Sequence, residues 1–177
     1  MFETNDTFVE EAVKVIETAQ DKQRKICALA VTILLLGGTV SFSRGFLTII
    51  MAILLIIMGI LTIILYSNKN IEYEYDYTNG SLEIAKIINN EKRKKVVNIE
   101  SNEVKMVAAV GTNESLKYDH VQLKTYDCSA HDSEQKDYIL VAHSEAKGND
   151  FKVIFTPSDK LLNAMAKYNK HDIYLGE

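Results

Sequence analysis

The sequence has no tryptophan, a single proline and only two cysteines, Cys27 and Cys128. Two such cysteines cannot build a disulfide framework, which fits a domain held in a reducing compartment. There is no CxxC pair, no HExxH and no glycine-rich phosphate loop. Structural zinc sites, zinc-dependent hydrolysis and P-loop nucleotide chemistry therefore lack their signatures. A basic excess is missing too. The formal net charge is −4, and after Tyr66 the chain has 15 Lys/Arg against 18 Asp/Glu, a difference of −3. That is not the footprint of a nucleic-acid binder. No cofactor or metal is expected.

Apolar length is what the chain has in excess. Phe46 to Tyr66 is 21 residues without a charge. At about 1.5 Å per residue it spans a hydrocarbon core of roughly 30 Å. It is apolar all round, so it offers no face to water. A shorter run, Ile26 to Ser43, carries Thr32, Thr39 and Ser41 but is still long enough to span. A tight turn, Ser41-Phe42-Ser43-Arg44-Gly45, joins the two. A chain this small has no layer that would bury both runs on every side as core helices. The reading is a transmembrane hairpin over residues 26–66, with spans at about 26–43 and 46–66. Gly37-Gly38 and Gly59 are small positions that allow close helix packing.

Loop charges set the orientation. Lys22, Arg24 and Lys25 precede the hairpin, while Tyr66 and Lys69 close it, and Lys92-Arg93-Lys94-Lys95 follows. The connecting turn holds only Arg44. The positive-inside rule predicts a two-pass protein of the plasma membrane with both termini cytoplasmic. Lys22, Arg24, Lys25, Tyr66 and Lys69 are then interfacial anchors.

Residues 1–25 are expected to carry a cytoplasmic amphipathic helix. Thr7 and Glu10 fit a capping box, and Phe8, Ala12, Val15, Ile16 and Ala19 follow at helical spacing. Its polar face is acidic, which an anionic leaflet would repel. The simpler role is a polar lead-in that continues the first span or packs on the C-terminal domain.

After the linker Ser67-Asn68-Lys69-Asn70 the period changes to two. Ile71, Tyr73, Tyr75 and Tyr77 alternate with Glu72, Glu74 and Asp76, a half-buried strand. Asn79-Gly80 marks a hairpin turn. Return strands are expected at 81–89, with a bulge near Ile87-Ile88, and at 94–100. Val104 to Val110 reads as a strand or a short helix. Further strands are expected at 119–127, 137–143 and 151–155, with a polar loop at 129–135 and a turn at Lys147–Asp150. Thr156 as N-cap, Pro157 at N1 and Asp159 then open a helix over 157–170. Leu161, Leu162, Met165 and Tyr168 form its apolar stripe, and Lys167 and Lys170 close it. The tail 171–177 reads as loose.

Seven antiparallel strands and one C-terminal amphipathic helix make the inventory of a pleckstrin-homology-like (PH-like) barrel or sandwich. The order of membrane hairpin, Ile-Glu-Tyr-Glu-Tyr-Asp-Tyr-Thr-Asn-Gly-Ser-Leu-Glu-Ile, Lys-Arg-Lys-Lys and Phe-Thr-Pro-Ser-Asp-Lys-Leu-Leu resembles bacterial membrane-anchored PH-like proteins. In particular it resembles an uncharacterised Gram-positive family with an N-terminal two-helix hairpin. The resemblance covers roughly residues 26 to 170. It implies an α+β membrane protein in which the PH-like domain, 71–170, is capped by its last helix. Its motifs are structural and carry no chemistry.

The sharpest candidate site is Lys92, Arg93, Lys94 and Lys95. A strand of about nine residues returning over roughly 30 Å would bring this loop back towards the bilayer. Each basic residue near an anionic surface contributes about 1 kcal/mol. The competing reading is a solvated basic turn balanced by acids. The resemblance would put a phosphoinositide site at the first hairpin turn, but Thr78-Asn79-Gly80 holds no Lys or Arg. The stripe Tyr73, Tyr75 and Tyr77 reads as core. Glu72, Glu74 and Asp76 spread over about 13 Å along one strand, too far for one Ca²⁺ ion. Cys128 and His131 are two ligands only, and Cys128 has no visible activating base. His120 and His143 lack ligand spacing.

The expected function is a non-catalytic, membrane-anchored interaction or scaffold module that binds a protein partner, or itself, at the inner membrane face. A peripheral reader of anionic lipid through Lys92–Lys95 is the first alternative. An accessory subunit that joins a membrane complex through its hairpin is the second.

Overall fold

Alternation wins over helical spacing at the start of the chain. The computed structural model describes residues 7–41, 45–67, 70–144, 148–169 and 172–174. Its first element is not the expected amphipathic helix but a strand, β1, Phe8–Lys14. Val9 is buried at 4% exposure, and Val13 and Val15 pack on the same core. These valines fit a period of two as well as others fit a helical stripe, and β-branching favours the strand. The deciding partner is distant in sequence: β1 pairs antiparallel with β2, Ile71–Thr78, from Phe8↔Thr78 to Lys14↔Glu72. Thr7 therefore caps no helix; its N–H donates to Asn79 Oδ1 at 3.0 Å.

The chain divides into two units, Glu17–Lys69 and the remainder, which joins Met1–Ile16 to Asn70–Glu177. The first unit is a pair of helices, α1 (Ala19–Ser41) and α2 (Phe46–Ser67). The capping box sits here, at Thr18 and Asp21. Thr18 Oγ donates to Asp21 Oδ2 at 2.7 Å, and Asp21 N–H donates to Thr18 Oγ at 3.2 Å. Both helices are long and apolar enough to cross a membrane. Neither has a buried residue, although α2 is built almost wholly from Ile, Leu and Met. They pack through small and polar positions. A Cβ on Gly38 would lie 2.2 Å from Met51 Cε, and the Thr32 and Thr62 hydroxyls meet at 3.0 Å. Arg44, Lys69 and Lys170 lie outside the described residues, as do parts of the turn at Lys147 and of the tail.

The second unit has two sheets. β1 and β2 continue into β3 (Ser81–Ile88) and β4 (Lys92–Glu100), in that spatial order. Asn79 and Gly80, with φ of 48° and 94°, make the tight turn between β2 and β3. Gly80 has a second constraint, because the Tyr168 ring and Ser101 would meet a Cβ there. The bulge lies between β3 and β4 at Ile84/Ala85, not at Ile87-Ile88. The other sheet holds β5 (Val104–Ala109), β6 (Lys124–Cys128), β7 (Tyr138–Ser144), β8 (Asn149–Phe155) and β9 (Ile173–Tyr174), in the order β6-β8-β7-β5-β9. Val104 to Ala109 is thus a strand. A short helix, α3, Asn113–Leu116, stands in the loop after it.

Nine strands are present among the described residues, where the sequence pattern predicts seven. β1 and β9 are the additions. The ladder is not wholly antiparallel, since β6 runs parallel to β8 and β9 parallel to β5. The alternation at Val121, Leu123 and Thr125 starts too early, because 117–123 form turns before β6 begins. The tail is tied down at β9, where Ile173 pairs with Val107 and is buried.

The core lies between the sheets. Tyr73, Tyr75 and Tyr77 point into it from β2, and Tyr75 meets Phe155 of β8 edge-on at 5.8 Å. The last helix, α4 (Asp159–Ala166), is shorter than 157–170 and its N-cap is Ser158, whose Oγ accepts from Leu161 N–H at 3.2 Å. Thr156 is buried instead. Its Oγ donates to Asp137 at 2.6 Å and accepts from Ala130 N–H at 2.8 Å. Pro157 therefore precedes the cap. Glu11 of β1 completes the join by accepting from Ser158 N–H at 2.9 Å and from its hydroxyl.

Candidate functional site

The four consecutive cations begin β4 rather than forming a loop, and the strand divides them. Arg93 and Lys95 project to the outer face of the first sheet, where the acids of β2 and β3 stand. Arg93 Nε donates to Glu74 at 2.5 Å, Nη2 to Asp76 at 2.8 Å and Nη1 to Glu83 at 3.0 Å. Lys95 lies 2.7 Å from the second Glu83 oxygen. These two bonds hold the Glu83 carboxyl below its ordinary range. Asp76 behaves in the opposite way. Burial and the neighbouring Glu74 raise its carboxyl, against the pull of Arg93. Its Oδ1 is buried without a partner among the described residues.

Glu10 pairs directly with Asp76 across β1 and β2. One oxygen from each of Glu10, Glu74 and Asp76 lies within 4.8 Å of the others. Spacing along β2 alone hides this, because the third acid comes from the neighbouring strand. The cation that the structure supplies to Glu74 and Asp76 is the Arg93 guanidinium, held as a planar fork between carboxylates.

Lys92 and Lys94 alternate away from those acids. Among the described residues no carboxylate lies within ion-pair distance of Lys92, Lys94, Lys86 or Lys124. Lys94 is paired in register with Lys86 of β3, a like-charge pair directly across the ladder. The Lys86 ammonium sits 5.9 Å from the Tyr73 ring centre.

β4 is the last strand of its sheet and β6 the last of the other. A cleft of about 530 Å³ opens beside these two edges. Its walls include Val96 and Val97 of β4, Tyr126 of β6 and Phe151 of β8. Tyr126 and Phe151 stack edge-on at 5.9 Å, and the Lys124 ammonium lies 4.8 Å over the Tyr126 ring. Lys124 and Tyr126 carried no signal in the sequence, because their place depends on the parallel pairing of β6 with β8.

The other candidates separate. Cys128 is buried at 1% exposure, and its thiol is pushed up to about 12, by burial first and then by Asp127. A thiol so protonated is no nucleophile at neutral pH. His131 does not join it; its Nδ1 meets Ser129 Oγ at 3.2 Å and its Nε2 lies 3.7 Å from Asp127. The 129–135 loop is anchored at its start by these contacts. His143 pairs with Asp150 at 2.7 Å, and His120 is exposed. In the helical pair, Lys22 is exposed, Arg24 lies 3.9 Å from Asp21, and Lys25 binds Glu17 while standing 5.8 Å over the Tyr66 ring.

The model of the bacterial PH-like domain family DUF6106 matches residues 5–175. The chain belongs to that family. Comparison with curated proteins returns no match, and comparison with solved structures returns none. The match begins at residue 5, so the family pattern takes in β1 and the helical pair along with the sheets. β1 is thus an integral strand of this PH-like domain.

Proposed function

We propose that this protein is a non-catalytic, membrane-anchored module that holds a protein-binding PH-like domain at the cytoplasmic face of the plasma membrane. The observation that carries the reading is the cleft beside two free sheet edges. It offers backbone groups and the apolar side chains of Val96, Val97, Tyr126 and Phe151 to a partner. PH-like folds host many functions, and it is this surface rather than the fold that points to a binding role.

Two features support the membrane anchor. The apolar side chains of α2 are exposed, which is costly in water and favourable in lipid. The helical pair is also an insertion between two strands that pair with each other, β1 before it and β2 after it. Strands of one ladder must lie on the same side of a bilayer. That pairing favours two crossings over one, and the basic flanks put both ends inside. Lys22, Arg24, Lys25, Tyr66 and Lys69 keep their proposed role as interfacial anchors.

Crosslinking in native membranes, using tagged full-length protein and mass spectrometry, tests the reading. A stoichiometric protein partner that survives replacement of residues 26–66 by an unrelated hairpin supports it. A partner lost on that replacement supports the accessory-subunit reading. Self-crosslinks and lipid adducts alone refute both. A second reading, contact with anionic lipid, is favoured by Lys92 and Lys94. Among the described residues neither has a carboxylate within ion-pair distance.

A further inference from the structure

We propose that the free edge of β4 takes an extended acidic segment of a partner protein as an added strand, with its acids opposite Lys92 and Lys94. The inference rests on the reading of the domain as a protein-binding module and names the chemistry of its partner.

The edge comes first. β4 is nine residues long and closes its sheet on one side, so among the described residues its outward N–H and C=O groups face no further strand. Such a row is a template for another extended chain. Beyond it lies the cleft, whose Val96, Val97, Tyr126 and Phe151 side chains can bury apolar residues of that chain.

Charge then selects the occupant. Arg93 and Lys95 are neutralised by Glu74, Asp76 and Glu83. Among the described residues Lys92 and Lys94 have no carboxylate within ion-pair distance, and Lys94 faces Lys86 across the ladder. Like charges directly opposite destabilise a sheet, and opposite charges stabilise it. Lys94 therefore meets repulsion on its β3 side and, among the described residues, has no strand on the other. An acid there would form the cross-strand pair that β3 withholds. Lys124, at the far side of the cleft, adds a third cation.

The same features exclude other occupants. A second copy of β4 pairing in parallel would set Lys92 and Lys94 against the same two lysines, one pairing antiparallel brings them Glu100 as the single acid of the strand, and the bulge disfavours either pairing. An anionic lipid surface would use the lysines but neither the strand edge nor the apolar cleft. The guanidinium best suited to a phosphate, Arg93, is already held by three carboxylates. An extended peptide with alternating acids at one end and an apolar residue at the other uses every part.

The test selects random short peptides displayed on phage against the full-length protein in phosphatidylcholine nanodiscs. Enriched peptides should be proline-free, with acids at alternate positions at one end and β-branched or aromatic residues at the other. Binding of a synthetic representative should weaken about tenfold in the triple variant K92A/K94A/K124A, and should weaken further as salt rises. N-methylation of alternate amides of that peptide should abolish binding while leaving the protein untouched. Enriched peptides without acids, or peptides indifferent to the lysine variants or to N-methylation, overturn the inference and leave the module reading intact. Absence of any enriched peptide also overturns the inference, while the module reading stands or falls on the crosslinking described above. Salt-sensitive binding of phosphatidylserine vesicles in that case would transfer the lysines to the lipid reading.

Discussion

Tyr75 and Tyr77 stand two residues apart on one face of one strand, yet removing their hydroxyls should have opposite effects. The Tyr75 hydroxyl donates to Cys128 O at 2.6 Å and accepts from Thr156 N–H at 3.2 Å, at a fully buried position. Tyr75→Phe leaves that amide without its acceptor and the carbonyl without its donor. At about 1–3 kcal/mol for each buried group left unmatched, the loss should be roughly 2–4 kcal/mol. Tyr77 is 2% exposed, and its hydroxyl is buried with no partner among the described residues. Tyr77→Phe removes a desolvated polar group and no hydrogen bond, so the change should lie between about zero and 1 kcal/mol of added stability. The edge-on contact of Tyr77 with Tyr168, at 6.0 Å, survives in phenylalanine. Hydrogen exchange of β2 and β3 amides in detergent-solubilised full-length protein reads both changes on one scale. Equal destabilisation by the two substitutions would refute this hydrogen-bond accounting. It would mean that the Tyr77 hydroxyl has a partner, such as a buried water, that matters as much as the bonds of Tyr75.

Three further outcomes follow from the packing and the charges. A truncation to residues 70–177 discards β1 and with it the buried Val9, so it should lose about 2 kcal/mol from that side chain alone and aggregate through the bared edge of β2. Thermal melts and size-exclusion chromatography check this, and a peptide of residues 7–16 added in trans should restore the midpoint. Arg93→Ala should cost about 1 kcal/mol, well below the sum of three ion pairs because the side chain is 45% exposed, and Arg93→Lys should recover only part in urea titrations at low salt. Burial pushes Cys128 up to about 12 from 9.0, and Tyr73 and Tyr77 up to about 12 from 10.0. The unfolded chain gives up these protons first, so stability should be complete below about pH 9 and fall as pH rises towards 12, as urea midpoints would record.

The strand β1 shows where sequence reading meets its limit. The segment from Phe8 to Ala19 satisfies a helical stripe and an alternating one at once. Local pattern does not arbitrate between them. The arbiter is the free edge of β2, more than fifty residues away and separated by two apolar helices. The stripe of tyrosines was legible because period two, an Asn-Gly turn and a returning strand all agree within one short stretch. The helix start was only half legible. Proline marked its place, but which hydroxyl caps it depended on Asp137 and Ala130 drawing Thr156 into the core. The parallel pairings of β6 and β9 had no local signature, since each is fixed by a neighbour distant in sequence.

The candidate site was legible in composition and not in arrangement. Four adjacent cations are visible to any reading, but a strand sends alternate side chains to opposite faces. That alternation makes two pairs with different roles out of one basic run. Arg93 and Lys95 join the acids of β2 and β3. Among the described residues Lys92 and Lys94 are left without a carboxylate within ion-pair distance. Register, not sequence, decides which residue goes where, and the bulge at Ile84/Ala85 lies within that register. Inserting one residue between Glu91 and Lys92 would leave the pairing of the cations unchanged. Inserting one between Lys95 and Val96 would shift all four by one and carry Lys92 and Lys94 to the acidic face. The second insertion should abolish charge-selective peptide binding while the first preserves it, a contrast that no count of basic residues would anticipate.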